Sequence, residues 1–232
     1  MKLGWIGNQR RSWSDQIFAF GRKDFLMGWG LPGILRLLPS PTLVVKDHIR
    51  ETLNQLPGDA RILDVGAGGR RIVPGVTTVD AVAAPGVDVV GDIHALPLPD
   101  DGFDCVFCTG TLEHVENPWQ AVKELYRVTK PGGIVHIDVP FIQGYHADPT
   151  DYWRFTIDGL RLLCKSFEEM ASGVHIGPTC GLVWIAREWA NSICNDRVIS
   201  NLCLALVAVA KFSLKYLDFF LIRVSLSPRV AS

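Results

Sequence analysis

Short apolar segments alternate with turns and helices through the middle of the chain, and this alternation limits the fold more than any other feature. Asn117 and Pro118, a capping residue and a favoured first helical residue, open one such helix. Strands that alternate with helices are typical of parallel sheets with crossover connections. The pattern predicts an α/β fold with a doubly wound, mostly parallel sheet. Its predicted strands are Arg61–Val65, Thr77–Val79, Val87–Val90, Phe103–Cys108 and Gly133–Val139.

The regions on either side of these strands differ in pattern. Residues 1–56 are predicted to form an N-terminal cap that ends in a helix, because prolines interrupt the first part and apolar residues recur at helical spacing after it. Residues 57–178 form the predicted core, with a helix starting near Thr156 and a further strand at Met170–Ile176. Residues 179–232 are predicted to be a helical extension, with helices at Leu182–Ile193 and Val198–Leu221.

Charge and cysteine content exclude several classes of protein. The 23 Lys and Arg residues balance 24 Asp and Glu residues, so we expect no nucleic-acid partner. The six cysteines lack the spacing of a disulfide scaffold, and we predict no signal peptide, so a cytoplasmic location is expected. Cys105 and Cys108 lie three apart on a strand and face opposite sides, and we therefore predict no metal site.

A glycine turn after the first strand is the strongest local signal. Gly66 and Gly68 follow Asp64 directly and would let the backbone approach a ligand at the carboxyl end of the sheet. Asp80 and Asp92 close the second and third strands. Three strand-end carboxylates would repel a pyrophosphate, so they favour a ligand without phosphates. The missing third glycine and the extra Asp92 disfavour a nicotinamide-dependent oxidoreductase.

Five motifs occur in the order found in class I S-adenosylmethionine-dependent methyltransferases, and residues 58–142 resemble that family, in particular its small-molecule, type 11-like branch. The motifs are Leu63–Gly68, Val79–Asp80, Gly91–Pro99, Phe103–Val115 and Glu124–Gly133. The resemblance implies a Rossmann-like fold, S-adenosylmethionine as the cofactor and methyl transfer as the activity.

The same resemblance implies roles for individual residues. Asp64, Gly66 and Gly68 would shape the pocket for the methionine part of the cofactor. Asp80 would bind the ribose hydroxyls, and Asp92 with the Ile93 backbone would hold the adenine. Thr109 and Leu112 to His114 would line the cofactor near its sulfonium, although His114 could equally be a helix-start or loop residue without a chemical role.

The chain departs from the family pattern at its first crossover. Arg70 occupies the third glycine position, and only 15 residues separate Asp64 from Asp80, so the intervening helix should shrink to about one turn. Arg70 or Arg71 could then form an ion pair with the cofactor carboxylate. Alternatively, both arginines, and Arg71 in particular, are solvated surface residues. We also predict that the family's last antiparallel strand is incomplete or displaced.

The segment Gly144–Phe155 should lie over the carboxyl ends of the sheet, because it follows the fifth strand. Its His146 is the predicted general base, oriented by Asp148 or Asp151. The alternative is that Asp151 and Arg154 form an ion pair that fixes the loop while its aromatic residues anchor it.

Two functions remain open from the sequence. The first is methyl transfer to a small-molecule, glycan or lipid-linked acceptor, expected at oxygen. The second is a non-catalytic protein with the same fold that acts as a binding or assembly module at a membrane or a partner subunit. The apolar face between Val198 and Leu221 motivates it, and predicts either contact with the inner membrane face or a homo-oligomer.

Overall fold

The computed structural model of the protein describes residues 48–147 and 149–193. The strands are β1 (Ile62–Val65), β2 (Thr77–Asp80), β3 (Val89–Val90), β4 (Phe103–Thr109) and β5 (Thr129–Asp138). The helices are α1 (His48–Leu53), α2 (Pro118–Val128), α3 (Ile157–Leu163) and α4 (Pro178–Ile193), with a 3₁₀ turn at Leu112–His114 between β4 and α2.

The five strands form one parallel sheet in the order β3-β2-β1-β4-β5. The chain therefore runs outward from β1 to β3, returns to the other side of β1, and continues to β5. This reversal leaves a crevice at the carboxyl ends of β1 and β4, the position where open α/β sheets bind ligands. The predicted doubly wound parallel sheet is confirmed.

The core lies between the sheet and the elements that follow β4. The central strands are covered on both faces, as expected for a parallel sheet. Helix α2 buries one face, and Leu163 of α3 joins the same cluster. The main contributors from the strands and α2 are Leu63, Val65, Val79, Phe103, Val106, Cys108, Val122, Leu125 and Val128.

Capping residues fix where two helices begin. The Asn117 side chain accepts a hydrogen bond from the Gln120 N–H at 3.1 Å, ahead of Pro118. The Thr156 hydroxyl accepts one from the Gly159 N–H at 3.0 Å, so α3 begins where the sequence predicts.

Three local predictions need correction. The crossover from β1 to β2 contains turns and no helix, because 11 residues, four of them glycines, leave no room for one. Strand β5 begins at Thr129 rather than Gly133, because the Pro-Gly-Gly segment forms an irregularity inside the strand and Gly132 adopts a φ of +77°. The predicted strand at Met170–Ile176 is wrong. That segment is largely exposed and contains Gly173, and only Ile176 makes an isolated bridge.

Several predictions concern residues outside the described ranges. They are most of the N-terminal cap, Asp148, the helix at Val198–Leu221 and the chain after it. Within the described ranges, no helix has both the length and the apolar character needed to cross a bilayer. The three predicted domain boundaries stay predictions.

The burial of Leu125 predicts a large cost for its truncation. Leu125→Ala removes a fully buried side chain from the face of α2 and should lower the free energy of unfolding by about 2–5 kcal/mol. Leu162→Ala makes the same chemical change on α3, where the side chain is 66% exposed, and should change it by less than about 0.5 kcal/mol. Chemical denaturation of both variants measures the difference, and equal losses would contradict this description of the core.

Candidate functional site

The glycine turn after β1 is held tightly against neighbouring elements. The N–H groups of Gly66 and Ala67 both donate to the Val79 carbonyl of β2, at 2.8 and 3.2 Å. Gly66 has a φ of +75°, and a Cβ there would lie 2.2 Å from the Thr111 hydroxyl oxygen. A side chain at this position would therefore be both strained and blocked.

Asp80, at the end of β2, joins this turn. Its Oδ2 accepts a hydrogen bond from the Gly68 N–H at 2.7 Å, and its Oδ1 accepts one from the Val82 N–H at 3.0 Å. A carboxylate has about four lone-pair positions, so acceptor capacity remains for a ligand. The two residues that the sequence assigned to cofactor binding thus contact each other.

Asp64 is the most unusual charged group of the site. It is fully buried in β1, and neither carboxylate oxygen has a hydrogen-bond partner among the described residues. Burial raises its pKa to about 6, the Arg70 charge opposes this rise, and the Asp80 charge adds to it. A cation placed on the glycine turn would relieve the cost of this buried carboxylate.

The two arginines of the turn point to different partners. Arg70 donates to the Thr109 hydroxyl at the end of β4, with a distance of 2.7 Å between Nη2 and Oγ1. Arg71 instead pairs with Asp88, donates to the Val76 carbonyl, and holds the pKa of Asp88 down to about 2. Only Arg70 is directed toward the site, so the alternative of a surface role fits Arg71.

After β3, Asp92 and His94 form a small hydrogen-bond network. Asp92 was predicted as a site residue, whereas His94 was not. Asp92 Oδ1 accepts from the backbone N–H of His94 at 2.9 Å and from its ring Nδ1 at 2.7 Å. His94 Nε2 accepts from the Asn117 N–H at 3.3 Å. Asp92 is exposed, whereas Ile93 is buried beneath it. The proximity of His94 to Asp92 in sequence was the available signal.

The segment after β5 is fixed by the ion pair of Asp151 and Arg154. Arg154 donates to both carboxylate oxygens, at 2.5 and 2.7 Å, and to the carbonyls of Gln143 and Gly144. Burial acts to raise the pKa of Asp151, but hydrogen bonds from Arg154 and the His146 N–H outweigh it, so this pKa lies below its ordinary value. Asp151 therefore positions the loop, and through its backbone contact it positions His146.

Two main-chain N–H groups and the Trp153 side chain anchor the same segment. The N–H groups of Tyr152 and Trp153 donate to the Glu113 carbonyl, at 2.7 and 3.2 Å, and the Trp153 indole donates to the Val115 carbonyl at 2.8 Å. The Trp153 ring also packs edge-on against Trp119. These contacts fit the predicted alternative in which the loop is structurally anchored.

His146, His114 and Glu113 meet beneath this loop. The two rings pack edge-to-face with centroids 5.1 Å apart, and the Nε2 atoms of His114 and His146 lie 3.8 and 3.7 Å from Glu113 Oε1. Burial acts to lower the pKa of His146, but its contacts with Glu113 and the Gly144 carbonyl raise it above its ordinary value. The resemblance implies that Glu113 lies near the sulfonium, but its approach to two histidines was not predicted.

A cavity of about 370 Å³ adjoins Glu113 at the carboxyl ends of β4 and β5. Its wall is mainly apolar, with Phe141, Ile142 and Trp184 among the lining residues. Asp138 and His175 add polar groups 3.6 Å apart, and burial raises the pKa of Asp138. Neither was predicted as a site residue. The size suits a small organic group.

Comparisons with known proteins show that part of this chain is similar to methyltransferases. Residues 71–137 match a family model described as a methyltransferase domain. An uncharacterized methyltransferase from Mycobacterium bovis is 49% identical over 51 residues, which cover 22% of this chain and 20% of that protein. Demethylmenaquinone methyltransferase from Geobacillus stearothermophilus is 38% identical over 83 residues, covering 34% of this chain and 36% of the relative.

Solved structures show a similar but partial likeness. A SAM-dependent methyltransferase from Thermotoga maritima aligns with a TM-score of 0.44 and 24% identity, covering 52% of this chain and 69% of the other. One from Methanosarcina mazei aligns with a TM-score of 0.42 and 22% identity, covering 53% and 84%. The family match implies S-adenosylmethionine as the cofactor.

The buried carboxyl of Asp64 predicts a specific dependence of stability on pH. Its pKa of about 6 lies above the ordinary 3.8, so the folded protein binds this proton more tightly than the unfolded chain. The free energy of unfolding of the ligand-free protein should therefore fall as pH rises from about 4 to 6, by about 3 kcal/mol from this group.

Asp64→Asn removes that titration, so its stability relative to wild type should increase over the same pH range and level off above it. Denaturation at a series of pH values measures the difference. Asp59→Asn, the same change at an exposed residue, is the control and should track wild type. Parallel curves for wild type and Asp64→Asn would contradict the assignment.

Proposed function

We propose that this chain, which carries a methyltransferase domain of the class I fold, transfers a methyl group from S-adenosylmethionine to a hydroxyl of its acceptor. The observation that carries the proposal is the group of strand-end carboxylates around the glycine turn, Asp64, Asp80 and Asp92. The alignments span only about one fifth of the length of the first relatives. The proposed activity is therefore argued from this site and not from the functions of those relatives.

The residues present fit the cofactor. The unpartnered carboxylate of Asp64 supplies negative potential beneath the turn where the methionine ammonium would lie, and Gly66 lets the turn pack closely against Thr111. Asp80 would accept hydrogen bonds from the ribose hydroxyls with its remaining lone pairs. Asp92 and the Ile93 backbone would hold the adenine.

The end of β4 would lie beside the sulfonium. Thr109 is oriented there by its hydrogen bond from Arg70, and His114 is held by a hydrogen bond from its Nδ1 to the Thr150 carbonyl, 2.5 Å apart. When bound, the cofactor supplies an activated methyl group on a cationic sulfur. The protein's task is then mainly to position the acceptor oxygen in line with that carbon.

The cavity beside Glu113 is the proposed acceptor pocket. Its apolar lining suits the body of a small-molecule or lipid-linked acceptor, while Asp138 and His175 can bind hydroxyl groups, including those of a glycan. His146 is the proposed general base, with Asp151 and Arg154 as positioning residues. Its Nδ1 is 3.0 Å from the Gly144 carbonyl, to which it would donate in the neutral ring, leaving Nε2 to take a proton.

A second candidate function is a binding or assembly module, and one face of α4 favours it. Leu182, Ile185 and Trp189 recur at helical spacing on this helix and are more than half exposed. Such a face suits contact with the inner surface of a membrane or with a second copy of the chain. Flotation with anionic vesicles and measurement of oligomeric state test these two partners. A monomeric protein that does not bind the vesicles would exclude this second function.

Cofactor binding should depend on Asp80. Asp80→Asn keeps the shape of the side chain but removes the charge that strengthens hydrogen bonds to the ribose, each worth about 1.5–3 kcal/mol. We expect calorimetry to show at least a tenfold higher Kd for S-adenosylmethionine. Asp59→Asn should leave the Kd unchanged. An equal Kd for the Asp80 variant would remove Asp80 from the site, and no binding by wild type would overturn the proposed function.

Turnover should depend on His146. The protein is incubated with cofactor carrying a labelled methyl group and with fractions of small molecules, glycans and lipids, and mass spectrometry identifies the labelled acceptor. With that acceptor, His146→Ala should lower kcat about a hundredfold or more while the Kd for the cofactor stays constant. Unchanged kcat would reject the base. Labelling at carbon or nitrogen would reject the oxygen acceptor.

A further inference from the structure

We propose that Glu113, His114 and His146 form a binding site for one divalent transition-metal ion. The three residues come from two segments, the turn after β4 and the loop after β5, so no ligand spacing in the sequence reveals them. One ligand atom from each lies within 4.8 Å of the other two. The metal site itself does not depend on the proposed function. The role of the ion in the reaction does rest on it.

Backbone carbonyls determine which ring nitrogens face the centre of this cluster. His114 Nδ1 is 2.5 Å from the Thr150 carbonyl, and His146 Nδ1 is 3.0 Å from the Gly144 carbonyl. A carbonyl only accepts, so His114 Nδ1 carries the hydrogen. His146 Nδ1 lies between the Gly144 carbonyl and the Arg154 Nη2 donor, 3.2 Å away, and the metal site takes the tautomer that donates to the nearer carbonyl. In the neutral rings, both Nε2 lone pairs therefore point toward Glu113. Metal-binding histidines are commonly held in this way.

Glu113 brings a third set of lone pairs to the same point. Its side chain is 2% exposed, and its Oε2 has no hydrogen-bond partner among the described residues. Its Oε1 lies 3.7 and 3.8 Å from the two Nε2 atoms. Three electron-pair donors that face one another repel unless a cation lies among them. That cation is either a shared proton or a metal ion.

The set of donors favours a metal ion. Two imidazoles and one carboxylate are a common ligand set for zinc, iron and related divalent ions. Around an ion with bonds near 2.1 Å, neighbouring ligand atoms are about 3 to 3.5 Å apart, so small side-chain movements would close the distances seen here. A single shared proton bridges only one nitrogen to the carboxylate, whereas one metal ion accepts electron pairs from all three groups.

The position of the cluster suggests what the ion contributes. Glu113 also lines the cavity assigned to the acceptor, so an ion on its carboxylate can bind an acceptor oxygen. Binding lowers the pKa of that hydroxyl, and its proton leaves to water. The oxygen then bonds to the methyl carbon as the carbon–sulfur bond breaks and its electron pair stays on sulfur. With the ion bound, His146 is a ligand, and its role as a base applies to the ion-free protein.

Titration of the full chain, without a histidine tag and after removal of metals with EDTA, tests the site. Calorimetry with Mn²⁺, Co²⁺ and Zn²⁺ should show one saturable site per chain, and Co²⁺ should give visible absorption bands from nitrogen ligands. His146→Ala and Glu113→Gln should each weaken binding at least tenfold. His94→Ala, a change at a histidine outside the cluster, should leave it intact.

Because Glu113 is buried and its variant could fail to fold, the partly exposed His146 provides the second, independent test. Absence of saturable binding, or equal binding by wild type and His146→Ala, would overturn the metal site. The Kd for S-adenosylmethionine is measured on the same metal-free protein. Cofactor binding without metal binding overturns only this inference, and metal binding without cofactor binding overturns only the proposed function.

Discussion

Parallel pairing of β1 with β2 on one side and with β4 on the other aligns the ends of these strands within one register. Asp64 pairs with Thr78 and Phe107, and Val65 pairs with Val79 and Cys108. The residues that follow each strand therefore emerge at the same edge of the sheet. The glycine turn, the carboxylate of Asp80 and the turn at Leu112–His114 all depend on this alignment.

The alignment also concentrates negative charge. Asp64, Asp80, Glu113 and Asp138 lie at or near the same edge of the sheet, and burial raises the pKa of two of them, Asp64 and Asp138. Arg70 is the arginine of the glycine turn directed toward this edge, whereas Arg71 and Arg154 are engaged by Asp88 and Asp151. An excess of buried carboxylate is costly in an empty protein and becomes favourable when a cationic ligand arrives.

Sequence reasoning predicted the features that depend on local chemistry. Five predicted strands, the cap at Asn117, the helix start near Thr156 and the glycine turn follow from residue type and spacing, and the structure contains each of them. The predicted strand at Met170–Ile176 is wrong because it was inferred from the apolar residues around Gly173 alone. A strand also needs a neighbouring strand to pair with, and apolar residues do not show whether one is present.

The site was predictable only where it follows strand ends. His175 was missed, and the cluster around Glu113 was not foreseen, because both depend on tertiary contacts, with Asp138 and with His146 respectively. His114 and His146 were each identified, but their approach to each other required knowledge of the loop path. That path is determined by the partly buried Asp151–Arg154 pair, whose contacts a single sequence does not display.

The anchoring of the loop after β5 separates its placement from the chemistry of the site. The Tyr152 and Trp153 N–H groups and the Trp153 indole donate to the main-chain carbonyls of Glu113 and Val115. Every residue type carries those carbonyls, so replacement of the side chain at 113 leaves the acceptors in place. A substitution at position 113 can thus change the reactive side chain while the loop keeps its path. The same fold can then act on a different methyl acceptor.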